Sequence, residues 1–211
     1  MAISWACPIG VEAYARAGRK APVPRMNCPE CRKPMAFDGS YPRAVREAGV
    51  VHRIFVRRAR CGRCGVGDAL LPSFVVRRRR DSAPAVGAAV LARCGVELPP
   101  DAPLLYAGVP GRTVRSWRQR FSDQADELST RFSALCVEWG GELPWAMPAD
   151  PPSRTAVTIG AAWRVRRRRA RYGLPGAWLM ANAALGGKLL STRVDLPWPI
   201  RRAWIGRSRG P

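Results

Sequence analysis

The sequence is short of acidic residues, and this shortage is its most informative property. Asp and Glu number 15 against 36 Lys and Arg, which gives a formal net charge of +21 at pH 7. Only three of the basic residues are lysine, and the other 33 are arginine. Arginine presents a planar fork that matches phosphates and the edge of guanine, whereas lysine is a point charge. The charge therefore predicts a polyanionic partner, with nucleic acid favoured over an anionic membrane surface.

Long apolar runs and targeting signals are missing as well. No stretch approaches the roughly 18–20 apolar residues of a transmembrane helix. The start, "MAISWACPIGVEAYARAGRK", lacks the basic-then-apolar order of a secretory signal. Seven cysteines, an odd number, argue against a disulfide framework. We expect a cytoplasmic, nucleoid-associated protein with no membrane partner.

Groups typical of catalytic sites are scarce. A transposase needs separated acidic residues that hold two metals, but five of the seven acids after Phe121 fall within 20 residues of one another, on a predicted helix and the loop that follows it. The single histidine, His52, argues against a tyrosine recombinase. Phosphate-cradling glycine loops and a GxSxG elbow are also absent. We therefore expect a binding protein and not an enzyme.

The 20 prolines and 20 glycines divide the chain into short elements. We predict an α+β protein, in which a small β-rich zinc ribbon is followed by a mostly helical region with a helix-turn-helix. The predicted segments are an N-terminal lead (1–25), the ribbon (26–80), the helix-turn-helix with an acidic helix (81–142), and a basic helical C-terminal region with an irregular tail (143–211).

Periodicity places the elements within these segments. "VHRIFVRRAR" is typical of a strand, with Ile54 and Val56 on the face that Arg58 and Arg60 continue. Six helices are predicted, separated before the fifth by a loop, "GELPWAMPADPPSR". Their sequences are "PAVGAAVLARCG", "PDAPLLYAG", "GRTVRSWRQRF", residues 122–139, "TAVTIGAAWRVRRRRARYG" and "LPGAWLMANAALGG".

Four cysteines carry the strongest motif. Cys28 and Cys31 form one Cys-x2-Cys pair and Cys61 and Cys64 another, with 29 residues between them. Two such pairs supply the four thiolates of a tetrahedral structural zinc site, which would hold up a module too small to build its own core. The alternatives are unpaired buried cysteines or a redox CxxC, whose thiols nearby arginines would activate. The paired motifs favour one structural Zn²⁺, whose four thiolates the surrounding arginines help to neutralise.

The stretch "LLYAGVPGRTVRSWRQRF" predicts a helix-turn-helix. Gly108 permits the turn, Val109 enters the core, and the second helix buries Val114, Trp117 and Phe121. The other residues of that helix are of types that contact bases or phosphates. The base contacts are assigned to Arg112, Thr113, Arg115, Ser116 and Gln119, and Arg118 and Arg120 are placed at the flanks, next to the DNA backbone. The alternative is a basic amphipathic helix that only packs a core.

Further arginine clusters are predicted to attract phosphates without sequence preference. These clusters are Arg77, Arg78, Arg79 and Arg80 after the ribbon and Arg166, Arg167, Arg168 and Arg169 near the C-terminus. Arg57, Arg58 and Arg60 give the ribbon a positive exterior and are the alternative candidates for reading the sequence. The helix at 122–139 differs, because residues 121–142 contain five acids and one arginine. Its acidic face is predicted to pack under the basic modules or to meet a partner: a recombinase, a transposase or a second copy of the chain.

Taken together, these motifs resemble a known kind of protein. "CPEC", "GSYPRAVR", "VRRARCGRCGV" and "ALLPSF", followed by "GVPGRTVRSWRQRF", are similar to an uncharacterised zinc-ribbon and helix-turn-helix family of high-GC bacteria. That family is similar to the N-terminal DNA-binding regions of insertion-sequence transposases. The resemblance covers most of residues 1–190 and is most specific over 26–121. It implies zinc binding by the four cysteines and DNA binding by the helix that begins near Arg112, without the transposase catalytic domain.

The function expected from the sequence is sequence-specific binding of double-stranded DNA, as an accessory or regulatory factor of a mobile element. An RNA-binding zinc-ribbon protein remains the first alternative, because the charge permits it. A catalytically inactive transposase remnant is the second.

Overall fold

The computed structural model describes residues 2–95, 100–169 and 176–190, which form a four-stranded sheet and several helices. The strands are β1 (Ala2–Trp5), β2 (Met35–Glu47), β3 (Val50–Cys61) and β4 (Gly67–Pro72). The helices are α1 (Val11–Ala17), α2 (Ala83–Leu91), α3 (Ala102–Leu105), α4 (Gly111–Ser122), α5 (Ala125–Glu138), α6 (Pro151–Arg169) and α7 (Ala177–Ala184). The fold class is therefore α+β, as predicted. The predicted C-terminal tail, 191–211, lies outside the described residues.

The sheet has the strand order β1-β4-β3-β2, with β1 parallel to β4 and the other pairs antiparallel. The long β2–β3 hairpin is its main part, and Glu47 pairs with Val50 across a two-residue turn. Both turn residues, Ala48 and Gly49, have positive φ (50° and 77°), which the tight turn of a twisted hairpin requires. Nearer the open end, the register shifts between Phe37 and Ser40.

The N-terminal segment joins the sheet. Ala2 pairs with Ala69, and Trp5 pairs with Pro72. Helix α1 packs against β3, where the hydroxyl of Tyr14 donates to the Phe55 carbonyl oxygen at 3.4 Å. A 3-10 turn (Gly18–Lys20) ends this unit. Neither β1 nor α1 was predicted, since residues 1–25 were expected to form only an N-terminal lead.

A capping residue accounts for the start of α2, and apolar residues at helical spacing account for α4 and α5. Ser82 caps α2, since its Oγ accepts from the Ala85 backbone N–H at 3.2 Å. The predicted buried face of α4 is confirmed, with Val114, Trp117 and Phe121 all buried. The helical spacing of Leu128, Phe132, Leu135 and Trp139 predicts α5. The first three are buried, whereas Trp139 is half-buried at the end of the helix.

Three predicted boundaries change most. The first predicted helix ends at Leu91 instead of Gly95, and α3 is a single turn that ends at Leu105 instead of Gly108. Helix α6 begins at Pro151, inside the stretch predicted as a loop. The cause is Asp150, whose carboxylate accepts from the Ser153 backbone N–H at 3.0 Å and caps the helix ahead of a first-turn proline.

Buried side chains of the sheet and of the helices belong to one hydrophobic core. Asn182 of α7 connects the two parts, because its side-chain amide donates to the carbonyl oxygens of Ser73 (2.7 Å) and Val75 (3.0 Å). The Arg77 backbone N–H donates to the Gly187 oxygen at 2.7 Å. Among the described helices, none is both long and apolar enough to cross a bilayer.

Candidate metal centre and basic surfaces

The first cysteine pair forms a tight turn just before β2. The Cys28 backbone N–H donates to the Lys33 carbonyl oxygen at 2.8 Å, and the Arg32 N–H donates to the Cys28 oxygen at 2.9 Å. Arg32 has φ 61°, a left-handed conformation that is unusual for a residue with a side chain. The turn points the thiols of both Cys28 and Cys31 toward the second pair.

The second pair repeats this pattern just after β3. The Cys61 N–H donates to the Val66 oxygen at 2.8 Å, and the Gly65 N–H donates to the Cys61 oxygen at 3.0 Å. Gly65 has φ 73° and therefore occupies the place that Arg32 holds in the first turn. Because Met35 pairs with Cys61, the hairpin brings both turns together at its open end.

The four sulfur atoms lie close enough to share one ion. All lie within 4.8 Å of one another, with Cys28 to Cys64 and Cys31 to Cys61 each at 3.4 Å. A tetrahedral site with Zn–S bonds of about 2.3 Å needs sulfurs about 3.8 Å apart, so a zinc-sized ion fits. Disulfides need about 2.05 Å, and all seven cysteines are free. Within the described ranges, these cysteines form the one metal-ligating group of His, Cys, Asp or Glu.

The local backbone favours the thiolate form of Cys61. The Cys64 backbone N–H is the main group that lowers the pKa of Cys61, to about 6, because a hydrogen bond to sulfur stabilises its negative charge. The pKa of Cys64 is raised instead, because the Val66 backbone N–H lowers it but hydrogen bonding with the Cys28 thiol and burial outweigh that effect. For three cysteines outside the cluster, burial has the largest effect on the pKa. Burial raises the pKa of Cys7, to about 11, and also raises the pKa values of Cys94 and Cys136.

The ribbon arginines divide into two groups. Arg58 and Arg60 are exposed on β3. Arg57 is half-buried, because its guanidinium donates to the Arg19 carbonyl oxygen at 2.6 Å and lies 5.6 Å from the Phe37 ring centre. Arg58 and Arg60 thus remain available at the surface, whereas Arg57 supports the fold.

Residues 77–80, here called the basic loop, are held firmly against the sheet. The Arg43 guanidinium donates to the Val76 and Arg79 carbonyl oxygens at 2.9 and 2.8 Å. Backbone bonds join Arg46 to Arg80 and to Ser82. The loop was predicted as a solvated segment, but only Arg78 and Arg80 are exposed, and Arg77 and Arg79 are half-buried.

Helix α4 presents a polar outer face. Its exposed residues are Arg112, Arg115, Ser116 and Gln119, whereas Thr113 is half-buried. Arg118 turns inward and donates from Nε to the Ala89 carbonyl oxygen of α2 at 2.8 Å. Arg120 is half-buried and donates to the Ser116 hydroxyl at 3.4 Å. Arg118 and Arg120 therefore use some of their hydrogen-bond donors within the protein.

The C-terminal arginine run is only partly described. Arg166 is half-buried and lies 5.9 Å from the Trp139 ring centre, and burial lowers its pKa. Arg167 is exposed. The side chains of Arg168 and Arg169 lie outside the described residues, so their predicted phosphate contacts stay a prediction.

The acidic helix packs against α6. Asp126 of α5 lies 3.6 Å from the guanidinium of Arg154, and Glu127 pairs with Arg131 within α5. Glu138 is exposed at the C-terminal end of α5.

Two of the basic surfaces in the described part of the chain lie at opposite ends of the hairpin. The closed end of the hairpin meets the turn before α4, where the Ala48 N–H donates to the Leu105 oxygen at 2.9 Å and Arg46 Nη1 donates to the Gly108 oxygen at 3.2 Å. The cysteine cluster lies at the other end of the hairpin, roughly 40 Å away at about 3.3 Å per residue. Arg43 and Arg46, which position the basic loop beside α4, were not identified from the sequence, since no local pattern marks them.

Comparison with known families gives one match. Residues 28–103 match the family described as Domain of unknown function (DUF6431). The matched region runs from the first cysteine turn through the hairpin, the basic loop and α2, and it stops before α4. Neither the curated proteins nor the solved structures contain a significant match to the chain.

Proposed function

We propose that this protein binds double-stranded DNA in a sequence-specific manner, that a structural zinc ion stabilises it, and that it is not an enzyme. The observation that carries the proposal is the outer face of α4. Arg112, Arg115, Ser116 and Gln119 are exposed there together, and no acidic side chain interrupts residues 111–122. Arginine and glutamine at such positions are the donors that read guanine and adenine edges in the major groove.

The packing around α4 supports a helix-turn-helix. Helix α2 packs against both α3 and α4, which is the arrangement of a three-helix unit with α4 as the recognition helix. Gly108 (φ 71°) forms the turn, and Val109 packs against the core. Helix α3 is one turn long, which is shorter than the usual partner of a recognition helix. The hairpin tip gives α3 additional support through its hydrogen bond to Leu105.

Zinc is the proposed ion because of its ligands. Four cysteine thiolates in a cluster of tetrahedral size are the donor set of structural zinc sites. Four protein ligands leave no open coordination position for a substrate, which fits a structural role. The ion would close the open end of the β2–β3 hairpin, where both cysteine turns project from the strands.

A role as an accessory or regulatory factor of a mobile element rests on the resemblance to transposase DNA-binding regions. The exposed carboxylates at the end of α5 and beyond it, those of Glu138 and Glu142, suit a basic patch on a recombinase, a transposase or a second copy of the chain. An inactive transposase remnant would have the same binding surfaces. A recombinase gene beside this one would favour the accessory role.

One observation favours the RNA alternative. Phe37 is 46% exposed at the ribbon end and carries the Arg57 guanidinium on its ring. An aromatic ring beside arginines is a stacking platform for unpaired bases. Phe37→Ala should then weaken binding to a single-stranded loop and leave duplex binding unchanged.

The test is selection of bound sequences from a random duplex pool with zinc-loaded protein. A recurrent motif is expected, and an Arg115→Ala variant should select a more degenerate one. The matched control is Arg16→Ala, which removes an exposed arginine from α1 and should select the wild-type motif. A pool without enrichment would contradict sequence-specific duplex binding.

A further inference from the structure

A cavity of about 340 Å³ lies between the hairpin, the basic loop and the start of α4. This volume is at the lower end of the range for small-molecule sites. Its lining includes Arg46, Arg78, Arg79, Arg80, Asp81 and Trp117. Four arginines and one carboxylate thus line a single concave site.

The carboxylate does not neutralise the cavity. Asp81 already accepts from Arg46 Nε at 2.7 Å, and its side chain is 7% exposed. Among the described residues, the guanidinium groups of Arg78, Arg79 and Arg80 have no carboxylate partner. The cavity therefore has a net positive charge, and a bound anion would gain charge-assisted hydrogen bonds.

Helix α4 forms one side of the cavity. Trp117 lines the cavity and is fully buried, so its indole group is well placed to report on a bound ligand. Helix α4 begins at Gly111 without a side-chain cap, and Pro110 and Thr113 line the cavity, so the positive end of the helix dipole lies beside it.

The arginines are positioned by the fold and not by chance. Arg43 fixes the carbonyl oxygens of Val76 and Arg79, and Arg46 fixes that of Gly108. Arg78 has φ 60°, a conformation that costs energy for a side-chain residue and that the surrounding bonds maintain. Because the backbone that carries these arginines is already fixed, less conformational entropy is lost on ligand binding than in a flexible loop.

We propose that this cavity is a phosphate-binding site, formed by the basic loop, Arg46 and the start of α4. The ligand chemistry is a phosphoryl group, either a backbone phosphate of DNA or a free phosphate. The first source rests on the proposed function, because a backbone phosphate held here would anchor the N-terminal end of α4 against the duplex.

The test uses the zinc-loaded full chain and inorganic phosphate at constant ionic strength, followed by the indole Nε1–H resonance of Trp117. Trp117→Phe assigns this resonance. Arg78→Gly removes one guanidinium at a φ that glycine tolerates, so folding is preserved. Its matched control is Arg32→Gly, which removes the same charge at φ 61° next to the cysteine cluster.

Phosphate should shift the Trp117 resonance in the wild type. Arg78→Gly should weaken phosphate binding about tenfold, as expected for one charged hydrogen bond, whereas Arg32→Gly should leave it unchanged. Calorimetry on the same three proteins gives the affinities without the assignment. Equal phosphate affinities in all three, or no shift at Trp117, would overturn the proposal whether or not the protein binds DNA.

A parallel titration with a duplex separates the two sources. If both phosphate and the duplex shift the Trp117 resonance, the cavity holds a backbone phosphate. If phosphate shifts it and the duplex does not, the cavity binds a free phosphate, and the site stands although the DNA anchor fails.

Discussion

Arg32 and Gly65 occupy equivalent places in the two cysteine turns, yet they differ in how well they suit them. Each follows the second cysteine of its pair, donates its N–H to the first cysteine's carbonyl oxygen, and has positive φ. Glycine adopts this conformation freely, whereas arginine is strained by roughly 1 kcal/mol. The first turn therefore keeps its shape because of its hydrogen bonds, and not because arginine prefers this conformation.

Gly65→Ala should lower the stability of the metal-loaded protein by about 1 kcal/mol, because a Cβ at φ 73° is strained although the space around it is open. Arg32→Gly should have no effect or raise stability by up to about 1 kcal/mol. Gly62→Ala is the control, since it lies in the same turn with open space and no positive φ. Denaturant unfolding measures all three, and equal losses for Gly65→Ala and Gly62→Ala would refute the equivalence of the two turns.

The cysteine cluster makes a second prediction at this scale. The wild type should contain one zinc ion per chain, and Cys61→Ser should lose it together with the folded ribbon, because metal binding and folding are coupled. Cys94→Ser should keep the ion, since Cys94 lies on the helical side outside the cluster. Metal analysis and circular dichroism give the result. A metal-free wild type with an unchanged spectrum would rule out structural zinc.

Single residues were predictable where their role is local. The spacing of the cysteines predicted the cluster, because two turns of fixed shape can orient four thiols with little help from the rest of the chain. The inward use of Arg57 and Arg118 was not predictable. Their acceptors, the carbonyl oxygens of Arg19 and Ala89, are 38 and 29 residues away in sequence.

At the scale of elements, α4 combines a buried face with an exposed basic one. Replacing Arg115, which is exposed on the outer face, should cost about 1–3 kcal/mol on the selected duplex and little on a scrambled one. Arg167→Ala, on α6, should weaken both duplexes equally and reduce the salt slope by about one unit. Paired titrations decide the matter. If Arg115→Ala lowers both affinities in parallel, α4 does not read the sequence, and Arg58 and Arg60 become the candidates.

Helix packing makes a further prediction. A Cβ at Gly87 in α2 would lie 2.2 Å from Trp178 Cγ in α7, so Gly87→Ala should destabilise the protein by about 1–3 kcal/mol. Gly160→Ala in α6 is the matched control, because its Cβ would lie 3.7 Å from the nearest atom, a guanidinium nitrogen of Arg164. Its helix propensity should stabilise the protein by up to about 1 kcal/mol. Thermal unfolding distinguishes the two, and a neutral Gly87→Ala would contradict the α2–α7 contact.

Long, periodic elements were predictable, and short ones without a pattern were not. The apolar spacing of α4 and α5 identified both helices, since each buries one stripe against the core. Strand β1 has four residues and pairs with a strand more than 60 residues later, so no local signal marks it. The start of α6 was not predicted, because its first residues belong to a proline-rich stretch that is typical of a loop. Asp150 and Pro151 in that stretch are equally typical of a helix start, as a capping residue followed by a first-turn proline.

At the scale of the whole molecule, two groups of exposed arginines in the described residues lie at opposite ends of the β2–β3 hairpin. One comprises Arg58 and Arg60 near the cysteine cluster, and the other comprises the basic loop and α4 at the hairpin tip. The acidic residues of α5 are partly paired, with Arg131 and with Arg154. The arginines at both ends of the hairpin are thus placed where a polyanion can reach them, as nucleic-acid binding requires.

The most direct test is a salt-dependent titration of the zinc-loaded protein against three ligands: the selected duplex, its scrambled version and a structured RNA of equal length. The selected duplex should bind at least about tenfold more tightly than the other two, and for about six phosphate contacts the log–log salt slope should approach roughly −5. RNA binding as tight as that of the selected duplex, or an affinity that does not respond to salt, would contradict the proposed DNA-binding function.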